Sequence, residues 1–267
     1  MINNELISKF QNDNIRKHVN NTLDYVGIAL DFVYPNIENL ENQFYYEISD
    51  DYPSREERPY TEGSLQISNL NTQKNISISQ NNLIDYIYKS IDEKYQIILN
   101  KSSLDFQCLN PNDNYTLFEN FIKDYEMIFN KLLLSVKNTN SNINIKFSNL
   151  FLRKINKIEL NDKNIKLLNE DYLKELIFFT PQTSGRFYKE IHSDTTDSSN
   201  IIIRQGVIQK DCKSYIMYDY QIYKNIPKSE SLYKPINDLK EFSNIIYNLY
   251  RHMVGENFIE KYLNKED

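Results

Sequence analysis

Asn144-Ile145-Lys146-Phe147-Ser148-Asn149-Leu150-Phe151-Leu152-Arg153-Lys154-Ile155-Asn156-Lys157-Ile158-Glu159-Leu160 decides the fold. It reads as one long strand over 143–160, with Arg153 and Asn156 set among apolar residues. A helix from Asn114 to Lys137 precedes it. There Tyr115, Phe118, Ile122, Tyr125, Phe129, Leu132 and Val136 recur at spacings of three and four. Such a stripe occupies one side of a helix and has to be buried against a sheet or a second helix. Strand and helix together predict an α+β protein.

Working outward, Leu23 to Tyr34 alternates at period two and reads as a strand, stopped by Pro35. Ile37, Leu40, Phe44 and Tyr45 follow at helical spacing. Residues 50–59 are charged and bounded by Pro53 and Pro59, which predicts a loop. Two short β segments are expected within 64–79, then a helical turn or two carrying Leu83, Ile84, Ile87 and Ile91. Tyr95–Leu99 and Leu104–Leu109 predict a hairpin. Beyond the central strand, a helix is expected near 169–178 and a polar, turn-rich stretch over 180–199. A hairpin of 201–208 with 214–223 comes next. A helix starting at Asp238, with Glu241 completing a capping box, ends at Gly255.

Residues 23–137 and 143–254 each run strand, helix, loop-rich insert, hairpin, long helix. That order suggests an internal repeat of a β-α-β-β-α unit. The expected organisation is an N-terminal arm (1–22), an α+β half over 23–140 and another over 141–267, closely packed. Antiparallel strands, in one sheet or two, would be backed by the long amphipathic helices.

Hydrophobic residues make up 40% of the 267-residue chain and charged residues 25%, a globular rather than a disordered composition. The net charge of −6 disfavours direct nucleic-acid binding, because a surface of that sign repels phosphate backbones. It leaves room for docking on a basic, nucleic-acid-binding partner. Cys108 and Cys212 read as small core residues in a reducing compartment. Met1-Ile2-Asn3-Asn4-Glu5 has neither the basic nor the apolar region of a signal peptide, and no run approaches the roughly 20 apolar residues of a membrane helix. A cytoplasmic protein is the expectation.

His18, His192 and His252 stand apart, and no HxH, HExxH or CxxC spacing offers metal ligands. The five glycines are isolated, so neither a Walker loop nor a dinucleotide fingerprint can form, and no Gly-x-Ser-x-Gly elbow occurs. No metal and no cofactor is expected. Two groups of candidate residues remain. Arg153 and Asn156, three apart on a strand, point to opposite faces. The structural reading pairs Arg153 with a carboxylate such as Asp219 on a neighbouring strand and lets Asn156 finish an edge or turn; the functional reading gives them a ligand. Arg186, Tyr188 and His192 lie in a long polar connection and could grip a phosphate or a base; a simple surface insertion is the alternative.

Leu152-Arg153-Lys154-Ile155-Asn156-Lys157-Ile158 resembles the Gly-Leu-Arg-Tyr-Ile-Asn-Arg-Ile type strand of a sporadically distributed prokaryotic family of similar length. Ile28-Ala29-Leu30-Asp31-Phe32 is similar to its first strand, and Asp51-Tyr52-Pro53 with Glu56-Glu57 to its acidic loop. Tyr115 with Phe118 and Phe121 is similar to its long helix, and Tyr218-Asp219-Tyr220 to a late strand with an embedded Asp. Phe151 and Lys154 depart from the motif Gly and Tyr. The resemblance spans about 23–263 and implies a setting, phage defence or counter-defence, but neither activity nor cofactor. The expectation is a non-enzymatic binding or regulatory protein acting through a protein partner, for example an inhibitor of an RNA-guided nuclease. The alternative is an enzyme or nucleotide-sensing module using Arg153, Arg186, His192 and Asp219.

Overall fold

The computed structural model describes residues 22–70, 73–109, 111, 117–139, 145–168, 189–194, 199–227 and 233–263. Among these residues, nine strands form one antiparallel sheet: β1 (Leu23–Val33), β2 (Ser54–Leu70), β3 (Gln73–Lys89), β4 (Tyr95–Leu99), β5 (Ser103–Cys108), β6 (Lys146–Glu159), β7 (Lys189–Asp194), β8 (Ser199–Lys210) and β9 (Lys213–Asn225). Their order is β2-β3-β4-β5-β1-β6-β9-β8-β7. The helices are α1 (Ile37–Ile48), α2 (Phe118–Thr139), the single turn α3 (Asp162–Ile165), α4 (Pro235–Val254) and the short α5 (Glu256–Phe258), which continues into a π-turn at Ile259–Leu263. The protein is therefore α+β, and the strands of both expected halves join in one sheet through the β1–β6 pair. The expected arm over 1–22 and helix near 169–178 lie outside the described residues, apart from Thr22.

Strand alternation divides the sheet into two faces. On the inner face, Val26, Ile28, Leu30, Phe106, Leu150, Leu152, Ile203, Tyr218 and Tyr220 are buried. The apolar stripes of α1, α2 and α4 cover them. Phe106 stacks on Phe121 of α2, Tyr88 meets Phe44 of α1, and Tyr218 meets Tyr250 of α4 edge-on. Phe118, Phe121, Ile122, Tyr125, Ile128, Phe129, Leu132 and Val136 of α2 are all buried. At about 1.5–3 kcal/mol for each large apolar side chain, this stripe is a principal source of stability. On the outer face, Tyr25, Ala29, Asp31, Phe151, Arg153, Ile155, Gln221 and Tyr223 keep part of their surface in water.

Several expectations are corrected. The loop over 50–59 closes at Pro53, and Ser54 already begins β2. Pro59 is accommodated because β2 is an edge strand, where a residue without an N–H need not break a ladder. The turns expected at 83–91 are part of β3, whose seventeen residues pair with β2 throughout. β7 occupies part of the stretch read as polar and turn-rich. α4 begins at Pro235 rather than Asp238, because proline's fixed φ and missing N–H suit the first helical position. Cys108 is buried as expected, but Cys212 is exposed in the two-residue β8–β9 turn, where Asp211 and Cys212 both have positive φ. No helix among the described residues is long and apolar enough to cross a membrane.

Candidate functional site

The central strands bring Arg153 and Asp219 together on the outer face. β6 and β9 pair with Arg153 opposite Gln221 and Ile155 opposite Asp219, so the two side chains are diagonal neighbours. Nε of Arg153 donates to Oδ1 of Asp219 at 2.9 Å, and an Nη donates to Oδ2 at 2.8 Å. Arg204 on β8 approaches the same carboxylate at 3.8 Å. Two parallel charge-assisted bonds fix the guanidinium plane. The guanidinium also lies 5.5 Å from the centre of the Tyr25 ring on β1.

Tyr25 in turn lies over Gly27. A Cβ at residue 27 would collide with the Tyr25 hydroxyl and come within 2.9 Å of its Cζ, so the missing side chain makes room for the ring. The Tyr25 phenol is pushed up to about 12, chiefly by burial and next by the charge of Asp105, with Arg153 opposing. A chain of contacts thus runs across β1, β6, β9 and β8.

Beside this chain is a trough of about 290 Å³. Gly27 and Ala29 form its floor, Tyr25, Phe151 and Arg153 stand along it, and Asp31, Ser103 and Asp105 close its far end. Asp31 is opposite Ser103 and Asp105 opposite Ala29, which makes the acids diagonal neighbours on β1 and β5. Burial pushes the Asp31 carboxyl up, partly offset by a 2.9 Å hydrogen bond from Asn149. Burial also pushes Asp105 up to about 6; a hydrogen bond from Ser103 works against it, and the charges of Asp31 and Asp85 add to it. Oδ1 of Asp105 is buried and has no hydrogen-bond partner. An ionised carboxylate oxygen in that condition is costly.

Asn156 does not belong to this site. It sits in mid-strand on the inner face rather than at an edge or turn, is buried, and accepts a hydrogen bond from Thr22, whose hydroxyl also bonds the Tyr250 hydroxyl. Lys154 is likewise buried on the inner face; it donates to Ser243 of α4 at 2.8 Å and lies over Phe118. Arg186 and Tyr188 lie outside the described residues. His192 is on β7 opposite Ile202, which is opposite Gln221, which is opposite Arg153. It is therefore three strands, about 14 Å, along the same cross-strand row. Among the described residues no group of three or more His, Cys, Asp or Glu could hold a metal ion.

No sequence motif marks Tyr25, Asp31, Asp105 or Phe151 as site residues. The available signal was an acid inside each of two alternating strands, at Leu30-Asp31-Phe32 and Leu104-Asp105-Phe106. No family profile, curated protein sequence or solved structure matches the chain.

Proposed function

We propose that this is a non-enzymatic binding protein that engages a protein partner through the outer face of its central strands. One observation supports this reading above the others. Tyr25, Phe151 and Tyr223 present partly exposed rings around an arginine already held in place by Asp219. Phe151 and Tyr223 stack at 5.8 Å across β6 and β9. Aromatic side chains and arginine dominate binding energy in protein interfaces, and a pre-ordered rigid strand surface lowers the entropy lost on docking. The net charge of −6 favours a basic partner, such as a nucleic-acid-binding protein. An RNA-guided nuclease with a basic channel is the version suited to a defence or counter-defence setting.

The alternative, an enzyme or nucleotide-sensing module using Arg153, Arg186, His192 and Asp219, is weaker because Arg153 and Asp219 already neutralise each other. The test is affinity capture of the full chain from its native host, with Phe151→Asp and Tyr223→Asp run beside it. The expected result is one partner at defined stoichiometry, lost with either variant while circular dichroism shows both folded. A partner retained by both variants overturns the reading. So does a thermal shift with a nucleotide and no partner.

A further inference from the structure

We propose that the acidic end of the trough receives a basic side chain of the partner, a lysine or arginine whose cationic tip sits between Asp31 and Asp105 while its aliphatic stem lies along Phe151 and Tyr25. The inference deepens the reading of the outer face as a partner surface and rests on it.

Four features carry it. The cavity of about 290 Å³ is open, floored by Gly27 and Ala29, and suits one side chain rather than a folded segment. The acids are diagonal neighbours about 7–8 Å apart, with their Cβ atoms somewhat closer, a separation that lets one cation bridge them. Asp85 and Asp219 are paired with Arg58 and Arg153, whereas no ion pair among the described residues holds Asp31 or Asp105. The cation along the trough, Arg153, is committed to Asp219, which leaves the acidic end negative. Lysine and arginine place an apolar stem behind a charged tip, matching an aromatic wall that ends in carboxylates.

Several charged or titratable groups face Asp105. Asp31 and Tyr25 approach from β1 and Asp85 from β3, and Tyr125 approaches from α2 on the inner side. Asp85 is itself held by Arg58 at 2.8 Å and by Asn100 at 3.2 Å. A bound cation therefore competes with no existing ion pair at Asp105 among the described residues, and it lowers the proton affinity of that carboxyl.

The test uses the isotope-labelled full chain and blocked amino acids: N-acetyl-lysine methylamide, its arginine and glutamine counterparts, butylammonium, and calcium chloride. At pH 7.5 the lysine or arginine probe is expected to shift the amide signals of Gly27, Ala29, Ser103 and Asp105 saturably, with Kd on the order of millimolar. Asp105→Asn should weaken binding about tenfold, and lowering the pH to 5 should do the same, since Asp105 then carries its proton. Asp31→Asn is the second variant, and dispersed spectra confirm that both fold. No saturable shift, an equal response to the glutamine probe, or full binding by both variants overturns the inference. Preferential binding of calcium or of butylammonium alone also overturns it, because the site would then read a metal or a free amine. The two proposals fail separately. A partner lost with Phe151→Asp but bound fully by Asp105→Asn ends the trough inference only. Lysine binding to the trough without any partner ends the functional reading only.

Discussion

Arg153 donates two hydrogen bonds to Asp219 across neighbouring strands, and the two ends of that pair are unequally exposed. The Asp219 side chain is 3% exposed and the Arg153 side chain 42%. Removing the arginine strands a buried carboxylate, with Arg204 at 3.8 Å as a partial substitute. Removing the aspartate leaves a guanidinium that water can reach. Arg153→Ala should therefore cost about 3 kcal/mol, because an uncompensated buried charge is strongly destabilising. Asp219→Ala should cost less, about 2 kcal/mol, the scale of hydrogen bonds to a charged group. The double variant should resemble Asp219→Ala alone. Urea unfolding of the three proteins checks this; an Arg153→Ala cost equal to or below that of Asp219→Ala would sink it.

Asp105 makes stability depend on pH in the direction opposite to a salt-bridged acid. Its folded-state value is raised from 3.8 to about 6. Its contribution is fully present below about pH 4 and is lost as the pH rises toward 6, where the folded carboxyl must ionise in its buried position. Relative to the wild type, Asp105→Asn should gain about 3 kcal/mol between pH 4 and pH 7. Thermal denaturation of both proteins across that window measures it. A constant difference would show that Asp105 ionises as an exposed acid does.

Gly27 and Tyr25 form one unit. Gly27→Ala forces the Tyr25 ring off its seat and away from the Arg153 guanidinium. The expected cost is about 1–3 kcal/mol, the scale of overpacking. In the Tyr25→Ala background the same substitution should cost almost nothing, since the colliding ring is gone. Equal costs in the two backgrounds would refute the coupling.

Asn156→Ala removes the acceptor for Thr22 and disturbs its link to Tyr250, joining β6 to α4. A loss of about 1–3 kcal/mol is expected, typical of a broken buried hydrogen-bond network. Partner capture by the folded fraction should be unchanged, because Asn156 faces the helices. Loss of the partner at unchanged stability would place Asn156 in the interface instead.

The elements legible in sequence were those whose signal is local and repeated. The 3-4 stripe of α2, the period-two strand β1 and the hairpins β4–β5 and β8–β9 all lie where the pattern indicates. Local cues mislead where tertiary pairing overrides them. Pro59 and the charges of 54–58 look like a loop, yet pairing with β3 holds them extended at the edge. Leu83, Ile84 and Ile87 mimic a helical stripe, but β3 continues through them. The strands read β5, β4, β3, β2 outward from β1 and β9, β8, β7 outward from β6, so the two sides run in the same sense but differ in strand number. Sheet order of that kind does not by itself establish a repeated unit.

Sequence alone determined the α+β class, the long helix, the central strand and the opposed directions of Arg153 and Asn156. Each follows from backbone periodicity acting over a few residues. Only tertiary structure decided what those side chains meet. Asp219 is 66 residues from Arg153, and Asp105 is 74 from Asp31. The register of β1 against β5 and of β6 against β9 sets both relationships, and a slip of one residue would send each side chain to the other face. Burial is also a property of the assembled sheet. The same acid that would ionise freely on an exposed strand is held near pH 6 in β5, because Ala29, Ile98 and the neighbouring carboxylates surround it there.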